Sequence, residues 1–252
     1  MKRNYIYYAI CIILLSGCAK RNLVYFSDLT SKNEITTKIM NDGVPKIIEN
    51  DILSITVNST SPESNVLFAS TTNTMGANGY YEREGYRVNS DGKIKFPVLG
   101  EIKLEGLNIV QAQSLIESEL NKYVNNSVVN VKFLNFRVTV IGEVNTPSTF
   151  VVPNEKINIL EALGLAGDMT PYGKRENVLI IREVEGKRTM ARVNLNKQSV
   201  LNSPYFYLKQ NDVIYIEPDK TKSIEYSNSS NTMPLVVAAI SAVAVLATAL
   251  LQ

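Results

Sequence analysis

Residues 158–183 read NILEALGLAGDMTPYGKRENVLIIRE, a stretch that holds a helix start, a helix stop and a change of period. Asn158 precedes the apolar run and Glu161 follows three positions later. At that spacing the N-cap and N3 side chains can each accept the other's backbone N–H. Gly167 supplies the residue that most readily takes the left-handed conformation at a helix end. Beyond it, Val178, Leu179, Ile180 and Ile181 form a short β-rich run bounded by polar residues, which predicts a strand. Upstream, FRVTVIGEVNTPSTFVV (136–152) predicts two strands around a turn at Asn145-Thr146-Pro147. Downstream, RTMARVNL (188–195) and NDVIYIEP (211–218) are two further β-rich runs, separated by the longer NKQSVLNSPYFYLKQ. Two strands, one helix and then more strands imply a small α+β grasp, a sheet covering a single helix.

A second unit lies before this one. VPKIIENDILSITV (44–57) sets a turn at Glu49-Asn50-Asp51 ahead of a strand in which Leu53, Ile55 and Val57 alternate with Ser54 and Thr56. The stretch from Asn58 to Tyr81 is rich in Ser, Thr, Asn and Gly and reads as a long loop or a short helix flanked by loops. Short strands follow from Tyr86, punctuated by Asp91-Gly92, which is the strongest hairpin signal in the chain. In NIVQAQSLIESELNKYV, Asn108 and Gln111 repeat the capping-box spacing, and Ile109, Ala112, Ile116, Leu120 and Tyr123 share one helical face. SVVNVKFL closes the unit as a strand with Val129, Val131 and Phe133 on one side.

The chain of 252 residues, 45% apolar and 20% charged, has the composition of a globular protein with room for two or three small cores. It contains no His and no Trp, which excludes histidine acid/base catalysis, Ser-His triads and histidine metal sites. Lys and Arg number 26 against 24 acidic residues. Lys2 and Arg3 fall in the leader, so the remaining charges balance and no nucleic-acid signal is left. Glu183 with Glu185, and Glu82 with Glu84, have the spacing of exposed residues alternating on a strand or loop, and no nucleophile accompanies them. GKRENV (173–178) lacks the pattern of a phosphate loop. No catalytic, cofactor-binding or metal-ligating residue is expected. The tyrosines at 80, 81 and 86, and at 205 and 207, fit strand packing or subunit contact better than sugar stacking.

Both cysteines lie at the start, in MKRNYIYYAICIILLSGC. Two cations, an apolar stretch and small residues before Cys18 have the layout of a secretory signal peptide. The last four residues, Leu15-Ser16-Gly17-Cys18, resemble the bacterial lipoprotein box, which implies cleavage at residue 17, loss of Cys11 and acylation of Cys18. Residues 18–44 are polar and read as a tether, and DKTKSIEYSNSSNT (219–232) reads as a linker.

The chain then ends in MPLVVAAISAVAVLATALLQ (233–252), which has no charged side chain. As a helix, Met233 to Leu251 is about 28 Å long, against about 30 Å for a hydrocarbon core. At 100° per residue, Leu235, Val236, Ile240, Val243, Leu246 and Leu250 fall on one half. Ala238, Ser241, Ala242, Val245, Thr248 and Ala249 fall on the other. Small residues on one side suit close helix–helix packing, so the first set is expected to face lipid and the second to pack or line a pore.

The blocks LLSGC, PKIIENDILSITV, DGKIKFPVLGEIKLEGLNIVQAQSLI, VTVIGEVNTPSTFVVP, NILEALGLAGDMTPYGKRENVLIIRE and LKQNDVIYIEP, in that order, resemble the outer-membrane polysaccharide export lipoproteins, in a Bacteroides-type version. The resemblance implies an α+β chain with a polysaccharide export domain over 45–135, a β-grasp SLBB domain over 136–218 and a C-terminal transmembrane helix. It also implies a homo-oligomeric ring, commonly an octamer, whose C-terminal helices form a barrel through the outer membrane above a periplasmic body. The implied partners are membrane lipid, a capsular or exopolysaccharide substrate and an inner-membrane polysaccharide co-polymerase, often a tyrosine kinase. The competing expectation is a lipid-anchored scaffold or sugar-binding module with no pore.

Overall fold

A computed structural model describes residues 22–29, 43–59, 85–124, 126–153, 156–184, 186–222 and 235–242, with isolated positions at 34, 36, 38–39, 74–75 and 81–82. Two separate apolar cores organise the body, one on each side of residue 135.

In the first module, β1 (Ile52–Asn58) is central in a three-stranded antiparallel sheet, between β4 (Tyr86–Arg87) and β7 (Val128–Phe133). The alternation of β1 buries Leu53, Ile55 and Val57, and β7 adds Val129 and Val131 directly opposite Val57 and Ile55. Two two-residue strands, β2 (Thr74–Met75) and β3 (Tyr81–Glu82), pair with each other; most of the 58–81 segment lies outside the described residues. The hairpin of β5 (Lys93–Phe96) and β6 (Gly100–Lys103) turns at Pro97–Leu99. The Asp91-Gly92 signal instead closes the tight turn before β5, where the Gly92 amide donates to Asn89 at 2.9 Å.

The helix α1 (Ile109–Leu120) begins with both halves of the capping box formed between Asn108 and Gln111. It buries Ile109, Ala112, Ile116 and Leu120 against the sheet. Tyr123 does not continue that face: the helix ends at Leu120, the chain turns, and the Tyr123 ring is exposed. Periodicity identifies a face only while the helix lasts.

The second module is a five-stranded sheet in the order β11-β10-β12-β8-β9. Its strands are β8 (Arg137–Gly142), β9 (Ser148–Val151), β10 (Gly173–Val184), β11 (Lys187–Val193) and β12 (Val213–Pro218). Three of the pairings are antiparallel; β12 against β8 is parallel, joining the first strand of the module to the last. The helix α2 (Ile159–Leu165), capped by Asn158 and Glu161 as expected, packs Ile159, Ala162 and Leu163 into the core formed by Val138, Val140, Val178, Ile180, Ile214 and Ile216. A 3-10 turn at Gln198–Asn202 covers one side through Val200.

Two segments that read as connectors are partly structured. Residues 22–29, within the expected tether, lie on the second module, with Tyr25 and Phe26 packed against its core. At the other end, Asp219 caps a helical turn over 220–222 by accepting the Thr221 amide at 2.9 Å.

Candidate functional site

The C-terminal segment is helical over 235–242, and each of these residues is exposed. This stretch contains Leu235, Val236 and Ile240 of the expected lipid-facing set and Ala238, Ser241 and Ala242 of the expected packing set. Val243, Val245, Leu246, Thr248, Ala249 and Leu250 lie outside the described residues, as does Cys18. Among the described residues no helix is long and apolar enough to cross a membrane. The Ser241 hydroxyl donates to the Val237 carbonyl at 2.8 Å. This i to i−4 bond satisfies a hydroxyl within an apolar helix, so Ser241 needs no aqueous lumen for its hydrogen bond.

A cluster at one end of the second module holds two of the segments that flank it, 22–29 and 219–222. The Tyr25 hydroxyl donates to an Asp168 carboxylate oxygen, and the Arg175 guanidinium sits 5.4 Å from the centre of the Tyr25 ring. Burial raises the Tyr25 phenol well above its ordinary pKa, and the bond to Asp168 and its charge add to the effect. The neighbouring residues lock the strap in place. The Phe26 amide donates to the Leu195 carbonyl at 3.0 Å, and Asp28 accepts the Gln198 amide at 2.8 Å. Two residues along from Asp168, Thr170 donates its hydroxyl to Glu143 at 2.9 Å, and the other oxygen of Glu143 binds the Lys222 ammonium.

Backbone geometry brings these groups together. Gly142 ends β8 at φ +95, and a Cβ there would fall 2.1 Å from the Ile216 carbonyl oxygen. The close β8–β12 approach just before Glu143 is therefore open only to glycine. Glu143, just beyond the end of β8, is buried, as are Arg175 and Arg182, which lie at inward-facing positions of β10. Arg182 follows Val178 and Ile180 at two-residue spacing. That phase was the available sign that an arginine enters the core, and the expected strand run passes over it.

The opposite end of β10 borders a cleft of about 780 Å³ between the modules, lined by Lys46, Asp51, Phe136, Arg182, Tyr207 and Lys209 among others. Asp51 is buried there; its Oδ2 accepts the Ile48 amide at 2.8 Å, and among the described residues its Oδ1 has no hydrogen-bond partner. Burial raises this carboxyl to about 6, against the lowering effect of the Ile48 amide. Arg182 pairs with the buried Asp212 at 2.7 Å and stacks 4.9 Å from the Tyr205 ring centre. Tyr207 meets Phe206 edge-on at 5.2 Å, and Tyr86 packs 5.0 Å from Phe96. Tyr86, Tyr205 and Tyr207 therefore serve packing. On the sheet surface, a hydrogen bond from Lys174 at 2.7 Å holds the Glu217 carboxyl below its ordinary range.

Glu183 pairs with Arg188 at an exposed position, and Glu84 and Glu185 lie outside the described residues. Among the described residues no three acidic or sulfur side chains gather as a metal site would require.

The two modules coincide with two known domain families. Residues 42–134 match the polysaccharide biosynthesis/export protein family, and residues 136–216 match the SLBB domain. The chain belongs to the polysaccharide export family. One relative is the EPS I polysaccharide export outer membrane protein EpsA of Ralstonia nicotianae, 27% identical over 175 residues, which is 66% of this chain and 45% of the relative. The protein of the same description in Ralstonia solanacearum is 27% identical over 144 residues, 56% of this chain and 38% of that one. The chain thus spans less than half the length of either export protein.

Proposed function

We propose that this protein is a lipid-anchored subunit of an oligomeric channel that passes capsular polysaccharide or exopolysaccharide across the outer membrane. Two observations carry the reading: the export-then-SLBB order over 42–216 of this chain, and its similarity to relatives described as outer-membrane export proteins. In this reading Cys18 carries the acyl chains, the two modules stand in the periplasm, and copies of the 233–252 segment form the wall of a helical barrel. The protein catalyses nothing. A wide hydrated passage suits a polymer, because a tight site would hold each repeat and slow its release. An inner-membrane co-polymerase delivers the glycan.

A second reading, an anchored periplasmic scaffold with no pore, is favoured by one observation: the Ser241 hydroxyl is satisfied within its own helix. Deleting residues 233–252 while keeping Cys18 separates the two. The channel requires ring-shaped particles of the full-length protein in detergent and loss of surface glycan on deletion. Monomers in detergent together with normal surface glycan after the deletion would establish the scaffold.

A further inference from the structure

We infer that the cleft between the two modules is a subsite for the glycan, in which Asp51 accepts a hydroxyl hydrogen from a sugar. The class of ligand rests on the function proposed above; the site itself rests on an unmet acceptor, a fixed frame and the size and charge of the cleft. Asp51 is 1% exposed, and its Oδ2 is bonded to the Ile48 amide at 2.8 Å. Among the described residues, Oδ1 is one of three buried polar side-chain atoms without a hydrogen-bond partner. The other two belong to Arg175 and Asn196, and Asp51 is the one of the three residues that borders this cleft. A buried acceptor left unmet lowers stability, and Asn at this position would keep the Ile48 bond without a charge. The second oxygen therefore answers to something other than the fold, as groups at functional sites do.

The acceptor is held in place from both sides. The Asp51 carbonyl accepts the Val88 amide at 2.8 Å, and its own amide donates to the Ile48 carbonyl at 3.2 Å. Asn135, at the joint of the modules, accepts the Ile52 amide at 2.9 Å and donates to the Asn50 carbonyl at 3.0 Å. On the far wall Arg182 holds the 204–212 segment through Pro204, Tyr207 and Asp212. Little freedom is lost when a ligand enters a frame already set. The cleft of about 780 Å³ has the size of a small-ligand site, about 300–1,000 Å³. Phe133 and Phe136 supply apolar surface for the C–H groups of a sugar, and Gln210, beside Asp51, supplies an amide that can donate or accept. The surrounding charges offset one another: Lys46 and Lys209 against Glu49 and Glu105, Arg182 against Asp212, and Glu183 against Arg188. A ligand rich in hydroxyls is called for, and no charge on it is needed. One weak subsite per copy lets a polymer pass from site to site without being held.

Di- and trisaccharides released by partial acid hydrolysis of the cells' own surface glycan are the probe, added to full-length protein in detergent and read by saturation-transfer NMR. The wild type should give saturable transfer with a millimolar dissociation constant. Asp51→Asn, which keeps the Ile48 bond but presents an amide N–H in place of the acceptor, should weaken binding by about fivefold or more, the loss of one hydrogen bond. Gln210→Trp, at a half-buried position on the cleft wall, should fill the space and abolish transfer. Absence of transfer with the wild type means that water alone meets Oδ1 and overturns the subsite, as does an Asp51→Asn constant equal to that of the wild type. Unchanged binding by Gln210→Trp places the sugar elsewhere and overturns it too. The channel fails or stands separately. Rings in detergent and loss of surface glycan on deleting residues 233–252, without Asp51-dependent binding, keep the channel and end the subsite. Asp51-dependent binding by a protein whose deletion variant exports normally keeps the subsite and ends the channel.

Discussion

Replacing Asp212 by Asn isolates the electrostatic cost of the second module's core. Asp212 is fully buried and accepts Arg182 Nε at 3.0 Å, the Arg182 terminal nitrogen at 2.7 Å and the Lys209 amide at 2.8 Å. Arg182 has other acceptors, the carbonyls of Tyr207 at 3.1 Å and Pro204 at 3.3 Å, but among the described residues no second carboxylate is bonded to it. Asn keeps the volume and one acceptor oxygen and removes the charge, leaving a guanidinium in the core without its counter-ion. Breaking a buried pair in this way costs about 3–5 kcal/mol, a large share of the roughly 5–15 kcal/mol that holds a typical domain together. Urea unfolding of the full-length protein in detergent, followed by far-UV circular dichroism and by tyrosine fluorescence in this tryptophan-free chain, measures the loss. Arg182→Met with Asp212→Leu removes both charges, and well-packed apolar replacements of a buried pair are often neutral. The double variant should be more stable than Asp212→Asn. A loss under about 1 kcal/mol for the single change, or a double variant as unstable as the two single losses added, would refute the reasoning.

Three further outcomes follow from the same geometry. Asp51 is raised to about 6 from its ordinary 3.8; because the folded value is the higher one, the contribution of Asp51 to stability is most favourable at low pH and declines as pH climbs from about 4 through 6. Asp51→Asn should remove that decline, gaining up to roughly 3 kcal/mol at pH 8 and nothing near pH 4, as read from urea midpoints at the two pH values. Leu120→Ala should cost about 2–5 kcal/mol, while Tyr123→Ala three residues on should stay within about 0.5 kcal/mol; thermal unfolding ranks them, and equal losses would place Tyr123 in the core. Ala238→Phe with Ala242→Phe should abolish ring particles in detergent if that side of the helix packs on its neighbours, and unchanged rings under electron microscopy would show that it faces lipid.

Elements written in neighbouring residues were legible without a structure. Both capping boxes, Asn108 with Gln111 and Asn158 with Glu161, involve side chains three positions apart and formed as read. The alternation in β1 and β7 assigned the buried side of each strand. At the candidate site less was visible. Of the residues assigned to the terminal helix, 235–242 are helical, and nothing in one chain decides which side meets a neighbour. The Tyr25-Phe26 pair, two aromatics in a polar stretch, is the local sign that this segment docks, although the composition of the stretch as a whole is that of a tether.

What the sequence by itself determined is therefore most of the helices and strands, the inward faces of β1, β7 and the two capped helices as far as each element runs, the two-module order and the family, because each is encoded within a few residues or in recurrent blocks. Only the tertiary structure decided the parallel β12–β8 pairing, the burial of Arg182 on Asp212 and the fastening of Tyr25 to Asp168 and Lys222 to Glu143. The physical reason is separation: these partners stand 30, 143 and 79 positions apart for the three side-chain pairs, and no local periodicity encodes which distant charge or hydroxyl a folded sheet will bring within hydrogen-bond reach.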